Sequence, residues 1–140
     1  LQGIQAKIIS IAEACLGGLR GRSALLIGPG EVSQPYKTLL LEAGMKTIFQ
    51  ESDYSKVASL LPHVQLLMNI AKPGSPLPLL TAGTIAGGCV GRRTPLLIFD
   101  LAPSTSVEEL AGLLPAVCLY TPDDLRRILY SDAQVSVRIA

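Results

Sequence analysis

Histidine, cysteine and charge are all scarce in this chain of 140 residues. It has one histidine, His63, and three cysteines, Cys15, Cys89 and Cys118, none in a C-x-x-C pair. These shortages leave no cluster with metal-ligand spacing. They also leave Cys89 without a histidine base, because His63 stands in another loop, after Pro62 and before a strand. An odd number of widely spaced cysteines fits reduced thiols and a cytoplasmic setting. Cys89, in the loop Gly87-Gly88-Cys89-Val90-Gly91-Arg92-Arg93, is the one expected to be exposed. Arg92 and Arg93 could meet an anion there, but a charge pair in a glycine-rich loop reads more simply as solvated surface.

Charged residues make up 16% of the chain and the formal net charge is +1. That balance gives no electrostatic footprint for nucleic acid. No apolar run approaches the roughly 18–20 residues that span a bilayer. Leu1 to Gln5 lack the basic and apolar regions of a secretory signal. There is no internal repeat and no sign of a second domain. Because the chain opens on Leu rather than Met, it is expected to be an excerpt of a longer polypeptide.

Short apolar runs are what the sequence has in quantity, and 49% of its residues are hydrophobic. Runs at Ser23–Gly28, Lys46–Gln50, Val64–Ile70, Pro95–Asp100 and Ala116–Tyr120 read as strands. Continuous apolar runs of this length suit parallel strands buried on both faces. A helix over Ile4–Leu16, stopped by Gly17-Gly18, precedes the first strand. Others follow from the glycine turn to Gly44, from Ser52 or Asp53 to Leu61, and between Pro78 and Ile85. Ser106 is expected to cap a short turn. Thr121 is expected to cap the last helix, with Pro122 as its first residue and Asp123 and Asp124 against the dipole. Alternating strands and helices predict a three-layer parallel α/β sheet of Rossmann-like type. The most economical strand order is 3-2-1-4-5. That order would put the ligand crevice at the carboxyl ends of strands 1 and 4.

The motif that bears on function follows the first strand: Gly28-Pro29-Gly30-Glu31-Val32-Ser33. A strand, a glycine turn and a helix in succession is the setting that cradles a dinucleotide pyrophosphate. The first glycine permits the tight turn, and the second lets backbone approach phosphate. The third position holds Ser33 instead of glycine. The alternative is a strand–helix turn that only needs glycine conformations. Pro29 removes one N–H, and Glu31 adds a carboxylate near the phosphates. With Ser33 as N-cap, Pro35 becomes the tolerated second helical residue; this late start is the expected one. Glu51, 21 positions after Gly30, can accept from a ribose 2′-hydroxyl and would repel a 2′-phosphate, which favours NAD over NADP. Ser52 neighbours it, and Asn69 and Ala71 end the third strand at the same rim. Asp100 is expected to cap a turn after the fourth strand.

The amino-terminal and carboxyl-terminal parts of the chain both resemble the glutamyl-tRNA reductase family. Leu19-Arg20-Gly21-Arg22 and the run through Gly28-Pro29-Gly30-Glu31-Val32 are similar to that family's "L-x-G-K" and "V-L-V-I-G-A-G-E-M". Leu97–Pro103 resembles its "I-D-I-A-V-P-R-D", and Val117–Leu125 its "Y-D-I-D-D-L". The resemblance implies the NADPH-binding domain of an oxidoreductase that converts glutamyl-tRNA to glutamate-1-semialdehyde for tetrapyrrole synthesis. It also implies a cysteine-bearing catalytic domain and a helical dimerisation domain elsewhere in the same polypeptide, and a homodimer of the whole. The candidate site residues are Gly28, Gly30, Glu31, Val32, Ser33, Glu51, Ser52, Asn69 and Ala71, and the cofactor is NADP, as the resemblance implies, or NAD, as Glu51 favours. This chain departs from the family at Gln50-Glu51-Ser52, where "N-R-T" would hold a 2′-phosphate, and at Ser104-Thr105, where Arg-Asp would stand. The turn also resembles precorrin-2 dehydrogenases, which use NAD, but the second half of the chain does not. A further reading is a non-catalytic Rossmann domain kept for protein interaction.

Overall fold

The computed structural model describes residues 3–70 and 78–139. The five apolar runs form one parallel sheet: β1 (Ser23–Ile27), β2 (Thr47–Glu51), β3 (Leu66–Asn69), β4 (Leu96–Asp100) and β5 (Val117–Tyr120). The fold class is the expected one, but the strand order is β2-β1-β3-β4-β5 rather than 3-2-1-4-5. β3 pairs directly with β1, Ala24 opposite Leu66 through Ile27 opposite Asn69. Burial explains the correction. Every residue of β3 is fully buried, whereas β2 is partly exposed throughout and carries Gln50 in water. A strand apolar on both faces belongs inside the sheet, and a mixed one at its edge.

Helices cover both faces. α1 (Ile4–Leu16), α2 (Gly30–Glu42) and α5 (Pro122–Ile139) lie on one. There Ile8, Ile9, Ala12 and Leu16 of α1 and Leu40 of α2 pack on Leu26, Met68, Leu97 and Phe99. α3 (Val57–Leu60), α4 (Ala82–Gly88) and a 3-10 turn at Glu109–Leu113 cover the other face, against Leu25, Ile27, Leu67 and Ile98. Successive strand residues thus feed opposite cores, as the pleat requires. No helix among the described residues is long and apolar enough to cross a membrane.

Local chemistry sets the helix ends. Thr121 Oγ1 accepts from the Asp124 N–H at 3.1 Å, and Asp124 Oδ2 accepts from the Thr121 N–H at 3.0 Å. This reciprocal pair opens α5 at Pro122, as expected. It also holds the Asp124 carboxyl below its ordinary range, the Thr121 backbone N–H being the main cause. α4 begins later than expected, at Ala82, with Thr81 as its cap. Ser106 caps no helix; it is buried, and the Glu109–Leu113 turn starts without a side-chain cap. Instead Glu108 Oε1 accepts from the Ala82 N–H at 2.7 Å.

Arg92 is not solvated surface. Its guanidinium donates to the carbonyls of Val64 at 2.7 Å and Leu61 at 2.5 Å, and ties the loop after α4 to the turn before β3. α4 approaches that turn so closely that a Cβ on Gly88 would sit 2.5 Å from Leu61 Cβ. Gly88→Ala is therefore expected to destabilise the fold by about 1–3 kcal/mol through overpacking. Urea unfolding of the variant measures this, and a loss below about 0.5 kcal/mol, the range of an ordinary surface change, would contradict the packing described.

Candidate functional site

A doubly wound sheet opens its crevice where the chain leaves neighbouring strands in opposite directions. Here that point lies between the carboxyl ends of β1 and β3, not β1 and β4. Ile27 and Asn69 stand in register there. Gly28 follows with φ 142, a value that side chains rarely adopt. Pro29 is extended and is the N-cap of α2, which starts at Gly30. The late start at Ser33 does not occur, because the N–H groups of Val32 and Ser33 both donate to the Pro29 carbonyl, at 3.2 and 3.0 Å. Pro35 consequently lies inside the helix. It is on the exposed side, where water can serve the carbonyl it leaves without a donor.

The early start keeps the positive end of α2 at the glycine turn. Among the described residues, none accepts from the amides of Gly30 or Glu31. Both residues are exposed, and a Cβ built on Gly30 meets nothing within 4 Å. Val32 is half exposed on the same turn. Backbone donors, a dipole and an unobstructed approach thus coincide, which is what an anion at a helix N-terminus needs.

The rim from β2 is built of polar side chains. Ser33 is fully buried and donates to the Pro29 carbonyl at 3.0 Å. Gln50, which the sequence reading did not single out, donates from Nε2 to the Gly28 carbonyl at 2.7 Å and to Ser33 Oγ at 3.2 Å. Ser52 Oγ reaches the same carbonyl at 3.4 Å. Glu51 Oε1 accepts from the N–H groups of Ser52 and Asp53, at 3.2 and 3.0 Å, which fixes a carboxylate at the end of β2.

Asn69 is placed at the crevice, but its side chain is committed elsewhere. Oδ1 accepts from Tyr54 Oη at 2.5 Å, and Nδ2 donates to Ser106 Oγ at 2.5 Å. Ser106 Oγ in turn donates to Asp100 Oδ1 at 3.0 Å. Asp100, buried, also accepts from the N–H groups of Ser106 at 2.8 Å and Val107 at 3.0 Å, the turn-capping role expected of it. Ala71 and the rest of the loop through Gly74 lie outside the described residues.

Away from this edge, His63 is exposed and the described residues hold no metal-ligating cluster. A cavity of about 250 Å³ lies between α1, α5 and the loop after β4, lined by Ile8, Tyr36, Leu125 and Arg126 among others. It includes none of the residues of the glycine turn. Cys15 and Cys118 are the exposed cysteines and Cys89 is half-buried, the reverse of the expectation. α1 packs on the face of the sheet, and from there Cys15 Sγ comes within 3.3 Å of Tyr120 Oη. That hydrogen bond, with burial behind it, pushes the Tyr120 phenol up to about 12. A pKa raised above its unfolded value contributes stability that is whole below about pH 10 and is lost as pH climbs through the folded value. Phenolate absorbance, taken as a difference from Tyr120→Phe, should show this late titration. Cys15→Ala should bring it down toward the ordinary tyrosine range; an unmoved midpoint would refute the link.

No family model matches the chain. The glutamyl-tRNA reductase of Alkalilimnicola ehrlichii is 31% identical over 140 aligned residues, covering 86% of this chain and 31% of that protein. The chain spans about a third of the length of the curated relatives it matches. The solved glutamyl-tRNA reductase of Methanopyrus kandleri superposes with a TM-score of 0.78 at 20% identity, over 97% of this chain and 39% of that one. An NADPH-dependent glyoxylate/hydroxypyruvate reductase of Sinorhizobium meliloti shares the fold, with a TM-score of 0.62 at 11% identity over 85% of this chain and 90% of that one. Sequence and fold agree over nearly the whole length: the chain matches the Rossmann-like domain of glutamyl-tRNA reductases, as a divergent relative of it.

Proposed function

We propose that this chain is a dinucleotide-binding domain, and that it prefers a cofactor without a 2′-phosphate, NAD over NADP. The observation that carries the reading is the start of α2 at Gly30, with outward amides and no side chain in the approach. The pyrophosphate would rest on the amides of Gly30 and Glu31. Gly28 would shape the turn, and Val32 and Ser33 would form its wall. Glu51 stands where ribose hydroxyls would lie, and its carboxylate repels the extra phosphate of NADP. Ser52, beside it, could add a hydroxyl. Pro29 withholds one amide and Glu31 sets a negative charge in the first turn, so the grip on phosphate is weaker than in a full fingerprint.

The family supplies the larger context of the proposal. In a whole protein of this kind, the domain would deliver hydride while another domain of the same polypeptide carries the thioester chemistry on glutamyl-tRNA. The described residues offer no nucleophile–base pair of their own. The negative charges at Glu31 and Glu51 favour a second reading, a Rossmann domain that has kept its shape for contacts with other domains.

Titration calorimetry separates the two. The first reading expects heat with NAD or NADH and less with NADP. It also expects Gly30→Ala to weaken binding by about tenfold or more, ~1.4 kcal/mol, while leaving stability unchanged or raised, since alanine is the better helix former. Absence of heat and of thermal shift with both cofactors at high concentration would leave only the second reading standing.

A further inference from the structure

The glycine turn is held by a side chain that comes from no position of the glycine fingerprint. Gln50 lies on the α2 side of β2, because Ile48, two residues earlier, packs into that core. From there its carboxamide reaches over the end of β1. One nitrogen, Nε2, has two hydrogens, and both find acceptors: the Gly28 carbonyl at 2.7 Å and Ser33 Oγ at 3.2 Å. Ser33 passes the connection on by donating to the Pro29 carbonyl at 3.0 Å. Beside this, the Gly28 N–H donates to the Glu51 carbonyl at 3.0 Å.

The turn needs such a fastening for two reasons. Pro29 has no N–H with which the turn could brace itself. Ser33 stands where a third glycine would let α2 press on β1, and its buried hydroxyl instead joins α2 to Gln50 of β2 and to the Pro29 carbonyl. We propose that Gln50 is a positioning residue of the nucleotide site: it latches the Gly28–Gly30 turn and the first turn of α2 together, so that the amides of Gly30 and Glu31 face the pyrophosphate. It acts through the turn and does not touch the ligand. The proposal rests on the reading that this turn takes a dinucleotide.

Gln50→Ala deletes the latch. Gln50→Glu keeps the shape but cannot donate when ionised, and sets a carboxylate against the Gly28 carbonyl. Because the rest of Gln50 is exposed and only these part-buried bonds are lost, both variants should stay folded, with the melting temperature lowered by a few degrees. Two lost hydrogen bonds at the turn should weaken NAD and NADP alike by about tenfold in Gln50→Ala, leaving their ratio unchanged, whereas the added charge of Gln50→Glu should weaken NADP further. Glu51→Gln, by contrast, should change that ratio. Without any ligand, amide exchange at Gly28 and Ser33 should quicken in Gln50→Ala, a readout that does not depend on binding. Wild-type affinity in both Gln50 variants overturns the latch and leaves the nucleotide reading intact. Unequal losses for the two cofactors in Gln50→Ala also overturn it, because Gln50 would then be reading the ribose. A wild-type domain that binds neither cofactor overturns the nucleotide reading, and the positioning role falls with it.

Discussion

β1 and β3 lie side by side with every residue from Ala24 to Ile27 and from Leu66 to Asn69 buried. Two strands apolar on both faces cannot be left half covered, at roughly 25 cal/mol for each Å² of apolar surface removed from water. The chain must therefore lay helices above and below them. α2 carries it outward to β2 over one face, and α3 carries it back to β3 over the other. The crevice opens between the carboxyl ends of β1 and β3, because the helix that follows β1, α2, and the next helix after β3, α4, lie on opposite faces of the sheet. Its position is thus a consequence of burial, settled before any ligand chemistry enters.

The same burial sets a problem at the strand ends, where Asn69 and Asp100 are polar and have almost no access to water. Unpaired, each would cost several kcal/mol. The answer is a closed set of hydrogen bonds running from Tyr54 through Asn69 and Ser106 to Asp100, with the backbone N–H groups of Ser106 and Val107 completing the carboxylate. This set fixes the floor of the crevice and uses up the side chains that could have faced a ligand. What remains to meet one is backbone from the glycine turn and the rim residues of β2.

The strand positions, the capping of α5 by Thr121 and the glycine turn were legible in the sequence because each depends on neighbours a few residues away. The strand order was not, since a count of β-α units does not say on which side of β1 the third strand falls. A signal was present nonetheless: Leu66-Leu67-Met68 is uninterrupted, whereas Gln50 breaks the apolar pattern of β2. Ser106 was misread, and the side-chain partners of Asn69 were hidden, for a related reason. Their partners lie 37 residues apart in the chain, so no local pattern shows that they meet. Gln50 was overlooked beside Glu51 because its role is created by Ser33 and Gly28, which only the fold brings within reach. The start of α2 was misplaced because a proline inside a helix is costly in general, and only its exposure makes Pro35 tolerable here.

The departures from the glycine fingerprint are of two kinds, and they bear differently on function. Pro29, Ser33 and Pro35 change how the turn is held together, and each is absorbed locally without moving the start of α2. Glu31 and Glu51 change the charge that a ligand would meet. Gly30 belongs to neither kind. Its φ is not in the left-handed region, and a Cβ there meets nothing, so neither backbone strain nor packing calls for glycine. Glycine inside a helix is weaker than alanine by up to about 1 kcal/mol. The fold alone therefore gives no reason for a glycine at position 30. A group that must come close to the first amides of α2 would give one, and that is the physical ground of the proposal that this turn binds a nucleotide.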